Sequence, residues 1–347
     1  MNHPNPSIEE AAKISVPWYA VVATLAMVVI LGVLIAISNR RPSPTPPEPP
    51  PIIPPAGSEI IVCGQRFDIG WPVVTWDMAN GYDAYAEHCF FTPATTMPSS
   101  PVDPDSTRRY GQRRIRDAQL RQRVQADGWT MENLQDQVTQ FVIHFDAVGY
   151  SKGCFRVLHD IRGLSSHFLL DVDGTIYQTL DLKERAWHAA IANDKSIGIE
   201  IAHIGARSNM EVFEEWYTFD ETGWPVLTFP ETVIDPGVRL PNFIAKPARK
   251  ELFEGRINGQ TVMQYDFTNE QYEAMIALTK ALAQLFPNLA LDVPRDSRGD
   301  LRMDDMSDAA VLRHQGLIAH WHISRGKVDP GPAFDWDRVL TGASQSN

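Results

Sequence analysis

Beyond residue 140, six side chains have the types and spacing needed for chemistry at a metal. His144 lies at the end of the apolar run QFVIHF (140–145). Glu200 interrupts SIGIEIAHI (196–204), between Ile199 and Ile201. In a strand it therefore faces away from both neighbours. The stretch AHWHISRGKVDPGPAFDW (319–336) brings His320, His322, Lys327 and Asp329 close together. Two imidazoles and one carboxylate, with a fourth position left for water, form a catalytic zinc arrangement. Each residue taken singly has a plainer reading: a hydrogen-bonded histidine, a solvated glutamate, and a turn at DPGP.

These residues need a scaffold, and the hydrophobic pattern supplies one. A helix is predicted over Met131–Gln137, leading into the buried strand QFVIHF, and Ser151 is predicted to cap a short helix through CFRVLHDI (154–161). HFLLDV (167–172) and TIYQTL (175–180) flank Asp173-Gly174, a strong signal for a tight hairpin. SIGIEIAHI reads as a further strand. In FTNEQYEAMIALTKALAQLFP (267–287), Thr268 and Gln271 make a capping box. Tyr272, Met275, Ile276, Thr279, Leu282 and Phe286 form one face of the helix that follows, which stops at Pro287. Strands interleaved with helices predict an α/β domain with a central mixed β-sheet flanked by helices. No internal repeat is present.

The stretch SSHFLLDVDGTIYQTLDLKERAWHAAIANDKSIGIEIAHIG (165–205), with FVIHFDA before it and KVDPGPAFDW after it, resembles the N-acetylmuramoyl-L-alanine amidase family. That zinc amidase fold is shared with T7-type phage lysozyme and peptidoglycan recognition proteins. The resemblance covers about residues 138–206 and 265–337. It implies His144, His320 and Asp329 as zinc ligands, Glu200 as catalytic acid-base and Lys327 as a catalytic cation. Ala319-His320 stands where the family has Gly-His, and His322 competes for the second ligand position. In a strand, alternation would face His320 and His322 to the same side. His167 and His188 sit at family histidine positions and read as structural or substrate-lining. Cys154, His159 and His203 read as core residues. The implied reaction is zinc-dependent hydrolysis of the amide between N-acetylmuramic acid and L-alanine in peptidoglycan or muropeptides. A non-catalytic peptidoglycan-binding module is the alternative, although all three ligand positions hold competent side chains.

The rest of the chain divides by composition. After the tail 1–15, residues 16–38 carry no charge and form an apolar run long enough to span a bilayer, with Trp18 and Tyr19 at one end. It lacks an A-x-A cleavage site and exceeds a signal peptide's apolar core, so it reads as a transmembrane anchor. The linker 39–58 contains nine prolines in PSPTPPEPPPIIPP and favours an extended spacer. Residues 59–130 form an N-terminal extension, and 131–340 form the amidase domain with an insertion at about 207–262. Residues 1–55 hold three basic and three acidic residues, so the whole net charge of −12 belongs to the globular part. That acidity disfavours nucleic acid as a partner. Cys63 and Cys89 are candidates for pairing in an exported domain. A wall substrate implies an extracytoplasmic catalytic domain, whereas Arg40 and Arg41 alone would place it in the cytoplasm. No obligate protein partner is implied.

Overall fold

The computed structural model describes residues 56–91 and 108–345. The predicted anchor (16–38) and nearly all of the proline-rich linker lie outside these residues. Among the described residues, no helix is long and apolar enough to cross a membrane.

The chain runs through β1 (Gly57–Val62), β2 (Gln65–Thr75), β3 (Tyr110–Gly111), α1 (Ala118–Asp127), α2 (Met131–Gln137) and β4 (Gln140–Phe145). Next come α3 (Ser151–Phe155), prolonged by a π-helical stretch (Arg156–Arg162), then β5 (Phe168–Leu170), β6 (Ile176–Gln178), β7 (Arg185–Ala186) and β8 (Ser196–Ile201). The insertion supplies α4 (Glu211–Trp216) and two hairpins, β9 (Tyr217–Phe219) with β10 (Pro225–Leu227) and β11 (Phe253–Ile257) with β12 (Gln260–Gln264). The chain then forms α5 (Asn269–Leu285), α6 (Asp308–Arg313), β13 (Gly316–Ala319), α7 (His320–Ile323) and α8 (Trp336–Ser344).

Seven strands form the central sheet in the order β1-β2-β6-β5-β8-β4-β13. β5, β8, β4 and β13 run parallel, while β1–β2 and β5–β6 are antiparallel pairs. The sheet is therefore mixed, as the pattern predicts. Its period-two alternation sorts side chains between two layers. Phe141, Ile143, Ile197, Ile199 and Leu317 join the core built with Leu134 of α2 and Tyr272, Met275, Leu278 and Leu282 of α5. Val142 and Ile318 pack on the other face with Val311 of α6, and Leu169 and Tyr177 pack there with Phe155 and Leu158. Helices thus cover both faces. The capping box of α5 is complete: Thr268 Oγ1 accepts from Gln271 N at 3.1 Å, and Gln271 Oε1 accepts from Thr268 N at 3.0 Å.

Several expectations are corrected. Residue 151 is the first helical residue of α3, with Tyr150 at the N-cap and no side-chain cap, and the helix widens at Arg156 instead of running on regularly. The strand predicted over 196–204 ends at Ile201. The pairing of Cys63 with Cys89, left open by the sequence, does not occur, since no disulfide joins them. Within the stretch 59–130, β2 pairs in parallel with β6 and so joins the central sheet.

The extension also sends Arg113 into the interior, where it is 4% exposed. Its guanidinium donates to the carbonyls of Ser196 at 3.0 Å, Leu182 at 2.8 Å, and Asn193 and Asp194 at 3.3 Å. Burial lowers its pKa to about 10. Arg113→Met leaves buried carbonyls without donors, while relieving the cost of a buried charge. The net loss expected is about 2–4 kcal/mol, read as a lower denaturant midpoint; an unchanged midpoint overturns the assignment.

Candidate active site

β8, β4 and β13 are neighbours, and the functional side chains lie at their C-terminal ends. His144 on β4 is the register partner of Glu200 on β8. Adjacent parallel strands are about 4.8 Å apart, so the two side chains stand side by side on one face. His320 follows β13 directly, and Asp329 returns from the next loop to meet both histidines. In an open α/β sheet this crevice beyond the strand ends is the usual place for a ligand.

Three atoms converge there. His144 Nδ1 and His320 Nδ1 are 3.0 Å apart, and Asp329 Oδ2 lies 2.8 Å from the first and 2.9 Å from the second. All three residues are buried. Tetrahedral zinc with bonds of ~2.0–2.1 Å separates its ligand atoms by about 3.3 Å, close to the spacing present. Two ring nitrogens and a carboxylate oxygen aimed at one point suit a borderline cation, so the donor set fits zinc. Burial, reinforced by the His320 charge, lowers the His144 pKa to about 4. Burial alone would raise the pKa of Asp329, but the two imidazoles outweigh it and hold the carboxyl well below its usual range.

The surrounding cavity, about 320 Å³, includes Glu200, His188 and Lys327 in its lining. Burial raises the proton affinity of Glu200 well above that of an ordinary glutamate. The charges of Asp329 and Asp146 add to this, and Lys327 and Arg162 oppose it. Val157, Leu158, Leu164 and Trp187 give the same cavity an apolar side.

His320 and His322 do not share a face as in the predicted strand. The strand stops at Ala319 and the chain turns into α7, where Ser324 N donates to His320 O at 3.0 Å. At ~100° per helical residue, positions 320 and 322 point in nearly opposite directions. His322 is fully buried, accepts from Ala319 N at 3.1 Å through Nδ1 and donates to Arg302 O at 2.6 Å through Nε2. Both of its nitrogens are committed, and it is not part of the cluster.

A family model described as N-acetylmuramoyl-L-alanine amidase matches residues 134–332, more than half of the chain. The chain belongs to the N-acetylmuramoyl-L-alanine amidase family. Solved structures similar to it include a selenomethionine derivative of AmpD, with 18% identity and a TM-score of 0.30 over 72% of this chain and 94% of AmpD. The amidase AmiD from E. coli, in complex with anhydro-N-acetylmuramic acid-L-Ala-D-gamma-Glu-L-Lys, has 20% identity and a TM-score of 0.34, over 59% of this chain and 57% of AmiD. The endolysin amidase LysCS from Clostridium intestinale URNW has 14% identity and a TM-score of 0.29, over 60% of this chain and 84% of LysCS. No curated protein matches the chain significantly.

Several residues that support the site of this amidase were not singled out by the sequence. Asn258, at the β11–β12 turn in the insertion, donates through Nδ2 to Trp321 O at 3.1 Å and to Lys327 O at 3.0 Å. Buried Gln264 donates to Pro330 O at 2.9 Å and accepts from Ala333 N at 3.1 Å. Gly331 lies beside it at φ 92°, where a Cβ would come within 2.1 Å of Gln264 Oε1. Together these side chains brace the loop that carries Lys327 and Asp329. The Asn258-Gly259 dipeptide is a legible hairpin signal, but its reach to the loop is a tertiary fact. His167 is structural, with Nδ1 accepting from Gly198 N at 3.1 Å. His203 is structural as well, bonding Gly205 N and Tyr265 O. Cys154 is a core thiol that also borders the cavity. His188 does more than line the cavity, because it touches His144.

The two C-terminal histidines give a clean comparison. His320→Ala is expected to lose high-affinity zinc binding. His322→Ala is expected to keep it and instead lower stability by about 1–3 kcal/mol through unpaired buried groups. Metal titration with thermal unfolding checks both, and the opposite pattern would reassign the ligand.

Proposed function

We infer that this amidase uses zinc to hydrolyse the amide joining the lactyl group of N-acetylmuramic acid to L-alanine, in peptidoglycan or its soluble fragments. The observation that carries the reading is the convergence of His144, His320 and Asp329 on one point beside Glu200. Zinc held by these three residues would supply an acidified water and a Lewis acid. Glu200 is not among the three converging ligands. It takes the proton of the attacking water and returns one to the nitrogen of the departing alanine. Its raised proton affinity suits both halves of that cycle. Lys327, at the cavity edge, places an ammonium against the negative charge that develops on the scissile carbonyl oxygen. The apolar side of the cavity fits the methyl groups that flank the scissile bond.

Residues 16–38 anchor the chain to a membrane in this proposal, and the proline-rich linker holds the catalytic domain on the extracytoplasmic side, where the wall polymer lies. The purified full chain is expected to release peptides with a free N-terminal alanine from muropeptides, to lose this activity on chelation and to regain it with zinc. Zinc binding without release of alanine would favour the recognition module instead. Protease accessibility in intact spheroplasts checks the orientation.

A further inference from the structure

We propose that His188, seated over Gly198 and bonded to Ser196, is a positioning residue that fixes the orientation and tautomer of His144. The proposal rests on the zinc reading above and assigns a role to residues outside the ligand set. His144 Nε2 lies 3.0 Å from His188 Nδ1, and His188 Nε2 lies 3.2 Å from Ser196 Oγ. The two rings stand nearly perpendicular, at 84°, with centroids 5.2 Å apart. Both nitrogens of His188 are thus engaged inside the protein, although its ring borders the cavity.

The proton count follows from the chemistry of the donor set. A neutral histidine that presents a bare Nδ1 to a cation carries its proton on Nε2. His144 Nε2–H then donates to His188 Nδ1, which must itself be bare. His188 therefore carries its proton on Nε2 and donates it to Ser196 Oγ. A partner at 188 able only to donate would push the proton of His144 onto Nδ1 and block that atom. Metal-bound histidines usually direct the other ring N–H to a carboxylate, a carbonyl or water, and here a second imidazole takes that place.

The seat is built for the ring. Ser196, Gly198 and Glu200 alternate on the site face of β8, while Ile197 and Ile199 point to the core. A Cβ at Gly198 would stand 2.5 Å from both Cε1 and Nδ1 of His188. Only glycine leaves room for the imidazole against the strand. Asn193 Oδ1 holds the backbone in place, accepting from His188 N at 3.2 Å and Ala189 N at 2.6 Å.

The test is zinc affinity of the full chain, measured by competition with a chromophoric chelator, alongside the unfolding midpoint of the metal-free protein. His188→Phe keeps the ring shape but removes the acceptor, and is expected to weaken zinc binding about 10–100-fold. His188→Asn, whose Oδ1 can replace Nδ1 as the acceptor, is expected to retain most of the affinity. Ser196→Ala, which removes only the far end of the chain of bonds, is expected to cause a smaller loss. The visible spectrum of bound cobalt(II) should shift in His188→Phe and recover in His188→Asn. Affinity unchanged in His188→Phe, or lost equally in His188→Asn, overturns the proposal. If His188→Phe does not fold, Ser196→Ala decides, and unchanged affinity there overturns it. An unmodified chain that binds no zinc overturns the zinc reading itself, and this inference with it.

Discussion

Glu200→Gln is expected to lower the rate of alanine release by about 10²–10⁴-fold, the range for a general acid-base group, while zinc affinity stays near that of the unmodified chain. Gln has almost the same shape as Glu, so the β8 register and the neighbouring His144 are preserved. It cannot accept the water proton, and it has none to give to the leaving amine. The pH profile carries the second half of this test. Catalysis needs the carboxylate ionised, so the rate falls as pH drops through the pKa of Glu200. Burial, with the Asp329 and Asp146 charges adding to it and Lys327 opposing, shifts that acid limb upward from where an ordinary glutamate would put it. In Glu200→Gln the limb should disappear from the residual rate. A variant with full activity, or one that loses zinc together with activity, removes Glu200 from the proposed role.

Asp329→Ala is expected to weaken zinc binding by more than the ~10–100-fold that an outer partner costs, and to abolish hydrolysis at ordinary zinc concentrations. Its carboxylate supplies the anionic member of the set and sits within 2.9 Å of both imidazole nitrogens. Without it, two neutral rings face each other with nothing to offset a divalent charge. Asp329→Cys restores an anionic ligand of a type zinc accepts, with bonds of ~2.3 Å, and is expected to recover much of the affinity. Chelator competition measures both variants. Equal affinity in Asp329→Ala and the unmodified chain would mean that the cation, if bound, sits elsewhere.

Local signals in the sequence correspond to local structure. The Asp173-Gly174 turn, the Thr268–Gln271 capping box and the helix 131–137 depend on contacts a few residues apart, and each forms where predicted. The alternation in SIGIEI is equally local, because a strand turns successive side chains to opposite faces. It separates Ile197 and Ile199 from Glu200 before any partner strand is known. His144 stood out because it closes an apolar strand, whereas Asp329 was singled out by the family resemblance of KVDPGPAFDW, DPGP in isolation reading only as a turn. The three cysteines were too few to specify pairing, and in the structure no disulfide joins Cys63 to Cys89.

Other features depended on atoms far apart in the chain. His320 and His322 have the same side-chain chemistry, and the choice between them turns on β13 ending at Ala319, where the chain enters α7. Arg113 and Asn258 belong to segments without a recognisable role, yet they hold the loops beneath His188 and behind Lys327. The sequence by itself determined which residues were competent to bind a cation and move a proton, because those capacities reside in side-chain chemistry and short-range geometry. The tertiary structure decided which of them meet: β8, β4 and β13 become neighbours only when the sheet assembles, and that pairing across more than 170 residues brings His144 and His320 within 3.0 Å.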